Sequence, residues 1–131
     1  MFGAFIKEKR LLADLSLREF CRQLGEDASN WSKIEREKLM PPRDEKKLEK
    51  IAYILKIQKN TEDWQKMVDW AYIDSGSIPH YVQSDKEIMK ALPIFFRTIE
   101  SVKPSYDELK ELVENLKKEE PLAKVPNAPC Y

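Results

Sequence analysis

The sequence predicts an all-α protein: a compact bundle of about five short helices over residues 1–58, then a smaller helical region over 59–119 and a flexible tail over 120–131. Two observations carry this. Apolar residues recur at three- and four-residue spacing, the period of one helix face. Helix-start signatures also stand ahead of those segments, with Ser-x-x-Glu at Ser16–Glu19, Ser84–Glu87 and Ser105–Glu108 and single caps at Asp27, Asp44 and Thr61. At 131 residues, 42% hydrophobic and 35% charged, the chain has the composition of a soluble globular protein. It has room for a helical core, although the N-terminal part alone is small.

The elements follow in order. Residues 2–13 read as the first helix, with Phe2, Phe5, Ile6 and Ala13 near one face and Lys7, Lys9 and Arg10 off it. Ser16 to Glu19 reads as a capping box, in which two orphan N–H groups are satisfied reciprocally. It opens a second helix whose apolar face is Leu17, Phe20, Cys21 and Leu24. Gly25 follows, where only glycine takes the left-handed helix-ending conformation without steric cost. Asp27 caps a third helix, Ala28 to Arg36, with Trp31 and Ile34 on one side and Ser29, Ser32, Lys33 and Arg36 on the other. Pro41 and Pro42 make the next stretch a loop. Asp44 then caps a helix with the face Leu48, Ile51, Ala52 and Leu55.

Lys56 to Asn60 is a polar joint and the expected domain boundary. Beyond it, Thr61 caps a helix carrying Trp64, Met67, Val68 and Ala71, with Trp70 and Tyr72 off that stripe. Residues 74–79 are a break, and Ser84 opens a helix through Ile88, Met89 and Leu92. Pro93 interrupts that helix or begins the next segment within the apolar run 92–96, and Arg97 to Lys103 reads as a turn. Ser105 opens a helix with Leu109, Leu112, Val113 and Leu116 on one face. The last residues hold three prolines and no periodicity, and are expected to be extended or to order on a partner.

Two short helices about a glycine turn fit a helix-turn-helix, and residues 2–58 resemble one family in particular. Arg10, Cys21, Leu24-Gly25 and the run Ser29-Asn-Trp-Ser-Lys-Ile-Glu-Arg36 match the phage-repressor-like (Cro/C1, XRE-type) transcriptional regulators. The resemblance implies a five-helix lambda-repressor-like domain that binds double-stranded DNA. It also implies that Arg10 pairs with Glu35, tying the first helix to the end of the reading helix. By position in the family, Ala28, Ser29 and Lys33 face base edges, with Ser32 close by. Lys33 suits guanine O6 and N7, and Ala28 offers a methyl contact to thymine. Asn30 reaches a base or a phosphate. Arg36, Lys38 and Arg43 are the expected backbone contacts, together with helix-opening N–H groups. The chain departs from the family pattern at Leu17 (commonly Gln), Glu26 (commonly apolar) and Glu37 (usually Gly).

Charge distribution points the same way. Residues 1–60 hold 14 Lys+Arg against 10 Asp+Glu, a net +4, which the remainder balances with −4. A basic front and an acidic back steer one face toward phosphate. Regulators of this type act as two-fold dimers over half-sites about 34–36 Å apart. The run 92–96 and the helix from Tyr106 are the candidate homodimer surface. The alternative is an antitoxin-like or peptidase-controlled regulator, whose acidic second half and Pro-rich tail hold a toxin or metallopeptidase partner.

Other classes find little support. His80 is the only histidine and no nucleophile set accompanies it, so the chain does not read as an enzyme. Cys21 and Cys130 lie far apart with no metal-ligand spacing, which argues against a disulfide framework, a metal or a cofactor. Cys21 is expected to be a buried free thiol. No stretch approaches a membrane span, and Met1 to Ala13 lacks the apolar run of a secretory signal, so a cytoplasmic location is expected.

Overall fold

Four of the first five helices begin on a side chain that accepts a backbone N–H. Ser16, Asp27, Asp44 and Thr61 accept from Glu19, Asn30, Lys47 and Trp64 at 3.0, 3.0, 3.0 and 3.3 Å. Each cap satisfies one of the donors that a helix start leaves without a partner, an effect of about 1 kcal/mol. The computed structural model describes the backbone of residues 1–124 and the side chains of residues 1–118. It is all-helical, with eight helices and no strand among the described residues. They are α1 (Phe2–Leu12), α2 (Leu17–Leu24), α3 (Ala28–Glu35), α4 (Glu45–Leu55), α5 (Glu62–Asp74), α6 (His80–Gln83), α7 (Lys86–Val102) and α8 (Tyr106–Lys124). No helix among the described residues is long and apolar enough to cross a membrane.

The chain divides into two compact units, Met1–Asp85 and Lys86–Tyr131. The first unit therefore runs well past the polar joint at 56–60. The reason is packing: α1 lies against both α3 and α5, while α2 lies against α3 and α4. Trp64, Met67 and Ala71 of α5 are buried in the same core as Phe2, Ile6, Phe20, Trp31, Leu48 and Ile51. Trp70, read as lying off the stripe, meets Phe5 edge-on with ring centroids 5.4 Å apart. A polar joint in the sequence is here only a corner between two helices of one core.

Several boundaries differ from the periodicity. Ala13 and Arg36 are the caps that follow α1 and α3 rather than their last residues. Ser84 closes α6, a one-turn helix that the sequence reading missed, and its Oγ donates to the Tyr81 carbonyl at 3.3 Å. Residues 97–102 continue α7 instead of turning, and Pro93 lies inside that helix. A proline removes one donor from the ladder, but the bonds on either side suffice to carry the helix through. The Ser105 box forms in full, Glu108 N donating to Ser105 Oγ at 3.2 Å and Ser105 N to Glu108 Oε1 at 2.9 Å. The last helix extends through Pro121 to Lys124; the rest of the tail expected over 120–131, including Cys130, lies outside the described residues.

Candidate nucleic-acid interface

The candidate interface is built on α3 and the turn that precedes it. Gly25 ends α2 with φ +83°, and the N–H groups of Gly25 and Glu26 both donate to the Cys21 carbonyl at 2.8 and 3.0 Å. Two residues later Asp27 starts α3. This short link leaves α3 packed against α2, with Phe20 and Trp31 ring centroids 5.4 Å apart. Trp31 is 1% exposed, and its Nε1 meets no acceptor among the described residues, so shape alone holds it. Ile34 is half-buried beside it against the core.

The opposite side of α3 faces outward. Ser29, Asn30, Lys33 and Arg36 are exposed, while Ala28 and Ser32 are half-buried. Ser29, Lys33 and Arg36 follow one another at four and three residues, so they share one stripe. Arg36 Nε lies 3.4 Å from Ser32 Oγ, which steadies the guanidinium along the helix. Lys38 is exposed just beyond the helix end. Arg43 is exposed too, but it donates to Ser77 Oγ at 2.8 Å, an anchor 34 residues away that the sequence did not signal.

The orientation of α3 is fixed from α1. Arg10 is buried and grips Glu35 bidentately, Nε to Oε2 and Nη2 to Oε1, both 2.9 Å, while Nη1 donates to the Leu15 carbonyl at 2.9 Å. The hydrogen bonds to Glu35 raise the Arg10 pKa above its ordinary range, outweighing the opposing effect of burial. Gly3, buried in the same helix, lets α1 approach the end of α3. A Cβ there would collide with the carbonyl oxygens of Ile34 and Glu35, the latter at 2.7 Å. Nothing in the sequence marked Gly3 for this role. Asp74, which accepts from Phe2 N at 2.7 Å, and the Lys9–Asp63 pair at 2.8 Å lock α1 from the α5 side.

The three departures from the family pattern acquire physical roles. Leu17 is half-buried and packs on the core. Glu26 pairs with Lys47 of α4, tying the turn to the next helix. Glu37 sits at φ +61°, with its N–H donating to the Ile34 carbonyl and that of Lys38 to the Lys33 carbonyl. That is the Schellman ending, in which glycine is the usual occupant of position 37. Here its carboxylate pairs with the Met1 ammonium. In α2, Glu19 leaves the expected reciprocal box. Its backbone N–H meets Ser16, but its carboxylate accepts from Arg22 and Gln23. Cys21 is a buried free thiol, its pKa raised by burial.

No family model, curated protein or solved structure matches this chain.

Proposed function

We propose that the first unit is the sequence-specific DNA-binding module of a transcriptional regulator, a repressor that reads the major groove with α3 as a two-fold dimer. One observation carries the reading: α3 buries Trp31 against α2 while presenting Ser29, Asn30, Lys33 and Arg36 on its outer side. A helix fits the major groove, where each base pair offers a distinct donor and acceptor pattern. Three further features support it. The Arg10–Glu35 clamp and the Gly3 approach hold α3 rigidly, which a reading element requires. The cations Lys33, Arg36 and Lys38 are exposed in the last turn of α3, at its cap and just beyond it. The resemblance of residues 2–58 to the XRE-type regulators assigns the same stripe to bases and phosphates. Ala28, half-buried at the helix start, offers a methyl group, and Arg43 is exposed for a phosphate.

In this reading Lys33 is the principal reader and discriminates by about 1–3 kcal/mol, roughly a five- to hundredfold ratio. A gel-shift against the gene's own upstream region, beside a random duplex of equal length, tests it. The parent chain is expected to prefer the upstream DNA, and Lys33→Ala to lose that preference while keeping its fold. Equal binding of both duplexes by the parent, or unchanged preference in the variant, would overturn the reading.

A further inference from the structure

The first unit carries a cleft of about 220 Å³ between α4, α5 and α6. Leu48, Trp64, Val68 and Tyr72 line it, the first two buried and the others half-buried, so its floor is apolar and aromatic. An apolar cavity of about 150 Å³ already holds benzene, so a six-membered ring with a short polar arm fits here. The surrounding groups are held before any ligand arrives. Tyr81 Oη donates to Asp69 Oδ1 at 2.7 Å, and Gln65 Nε2 donates to the same oxygen at 3.1 Å. Arg43 Nη1 donates to Ser77 Oγ at 2.8 Å. A preformed site avoids part of the ordering cost of binding.

Two lining groups carry opposite charge, Arg43 and Glu45, both exposed. With Nη1 on Ser77, the Nε–Nη2 edge of Arg43 meets no acceptor among the described residues. That is the edge with which Arg10 grips the Glu35 carboxylate in this same protein. The Glu45 carboxylate accepts no hydrogen bond among the described residues. Lys59, whose pKa Glu45 helps to raise, is itself bound to Glu49 at 2.8 Å.

We propose that this cleft binds a free aromatic α-amino acid. The ring packs on Trp64, Val68 and Leu48, the carboxylate meets the Nε–Nη2 edge of Arg43, and the ammonium meets Glu45. Charge decides between ligand classes. Glu45 opposes a plain carboxylate and Arg43 opposes a plain amine, whereas a zwitterion satisfies both. Charge-assisted and bidentate contacts of this kind are the strong ones, and the Trp64 and Tyr72 rings favour an aromatic side chain over an aliphatic one of equal size. The cleft shares no residue with α3, and its occupancy does not depend on the DNA reading, although Arg43 serves in both.

An amide NMR titration of the full chain with L-phenylalanine, in the absence of DNA, reads affinity and place together. The expected dissociation constant is below about 1 mM, with the largest shifts around Leu48, Trp64, Val68 and His80. 3-Phenylpropionate, phenethylamine and L-alanine, which lack the ammonium, the carboxylate and the ring, should each bind at least tenfold more weakly, about the worth of one charged contact or a buried ring. Arg43→Gln should weaken phenylalanine binding by roughly tenfold or more. Glu45→Gln should weaken phenylalanine similarly but leave 3-phenylpropionate no weaker. Both positions are exposed, so the thermal melt of each variant should match the parent's. No shifts at about 10 mM phenylalanine, shifts centred away from the cleft, 3-phenylpropionate binding as tightly as phenylalanine, or affinity unchanged in both variants would overturn the proposal. Loss of DNA preference in Lys33→Ala would leave it standing.

Discussion

Arg10 and Glu35 form a bidentate ion pair at 2.9 Å, with side chains only 8% and 6% exposed, between the first helix and the last residue of α3. A buried pair adds modest net stability because both charges are desolvated, but stranding either charge is expensive. Arg10→Ala or Glu35→Ala is therefore expected to cost about 3–5 kcal/mol in urea unfolding. The double change Arg10→Met with Glu35→Leu should cost markedly less than either single one. A single variant within about 1 kcal/mol of the parent would show that the pair does not set the register of α3.

Gly3 is the second point where α1 meets α3. With no room for a Cβ beside the Ile34 and Glu35 carbonyls, Gly3→Ala should force the helices apart and lose about 1–3 kcal/mol. Replacing an exposed helical residue of the same helix, Ala4, by Ser should cost well under 1 kcal/mol. Equal effects of the two in thermal unfolding would contradict the close approach.

Glu37 holds a left-handed backbone conformation that costs an L-residue roughly 1–2 kcal/mol, and it puts an acid just past the end of α3, paired with the Met1 ammonium. Glu37→Gly relieves the strain and removes the negative charge, at the loss of an exposed ion pair. Binding to a DNA duplex should tighten by about two- to fivefold at low salt, and the gain should fade as salt rises. Weaker binding in a fluorescence-anisotropy titration would place Glu37 among the groups that DNA binding needs.

Two exposed contacts set pH limits. The Arg22 and Gln23 hydrogen bonds lower the Glu19 pKa from 4.5 to about 2. A depressed carboxyl stabilises the fold above its unfolded value, so this contribution is present above pH 4.5 and is lost as pH falls toward 2. Burial, with the hydrogen bond to Asp69, raises Tyr81 from 10.0 to about 12. Its contribution is complete below pH 10 and is lost as pH rises through 12. Carboxyl NMR titration should find Glu19 as a low outlier that moves up in 1 M salt. Ultraviolet titration should find one tyrosine ionising late. An ordinary midpoint at either group would contradict the contact there.

Local signals were the legible part of this chain. The caps at Asp27, Asp44 and Thr61 and the Ser105–Glu108 box depend on residues three apart, and a sequence displays them directly. The apolar stripe of Trp31 and Ile34 told which side of α3 turns inward, and hence which side is free. Glu19 was misread because two competing donors, Arg22 and Gln23, stand within one helical turn of it. Tertiary relations were hidden. Asp74 accepts from Phe2 N 72 residues away, and Arg43 donates to Ser77. The joint at 56–60 looked like a boundary because its residues are polar, yet Trp64, Met67 and Ala71 beyond it complete the core begun by Phe2 and Ile6. Gly3 carried no signal because a close approach by another element's backbone leaves no mark on its neighbours in sequence.

The most direct test of α3 as the DNA-reading element is a backbone amide NMR titration of the full chain with a duplex from the upstream region. The account predicts that the largest shifts fall on Ala28 to Lys38, with Arg43 also moving, and that the amides of Tyr53 and Leu12 on other exposed parts of the first unit stay still. Shifts that spare Ser29, Asn30 and Lys33, or that centre on another helix, would contradict it.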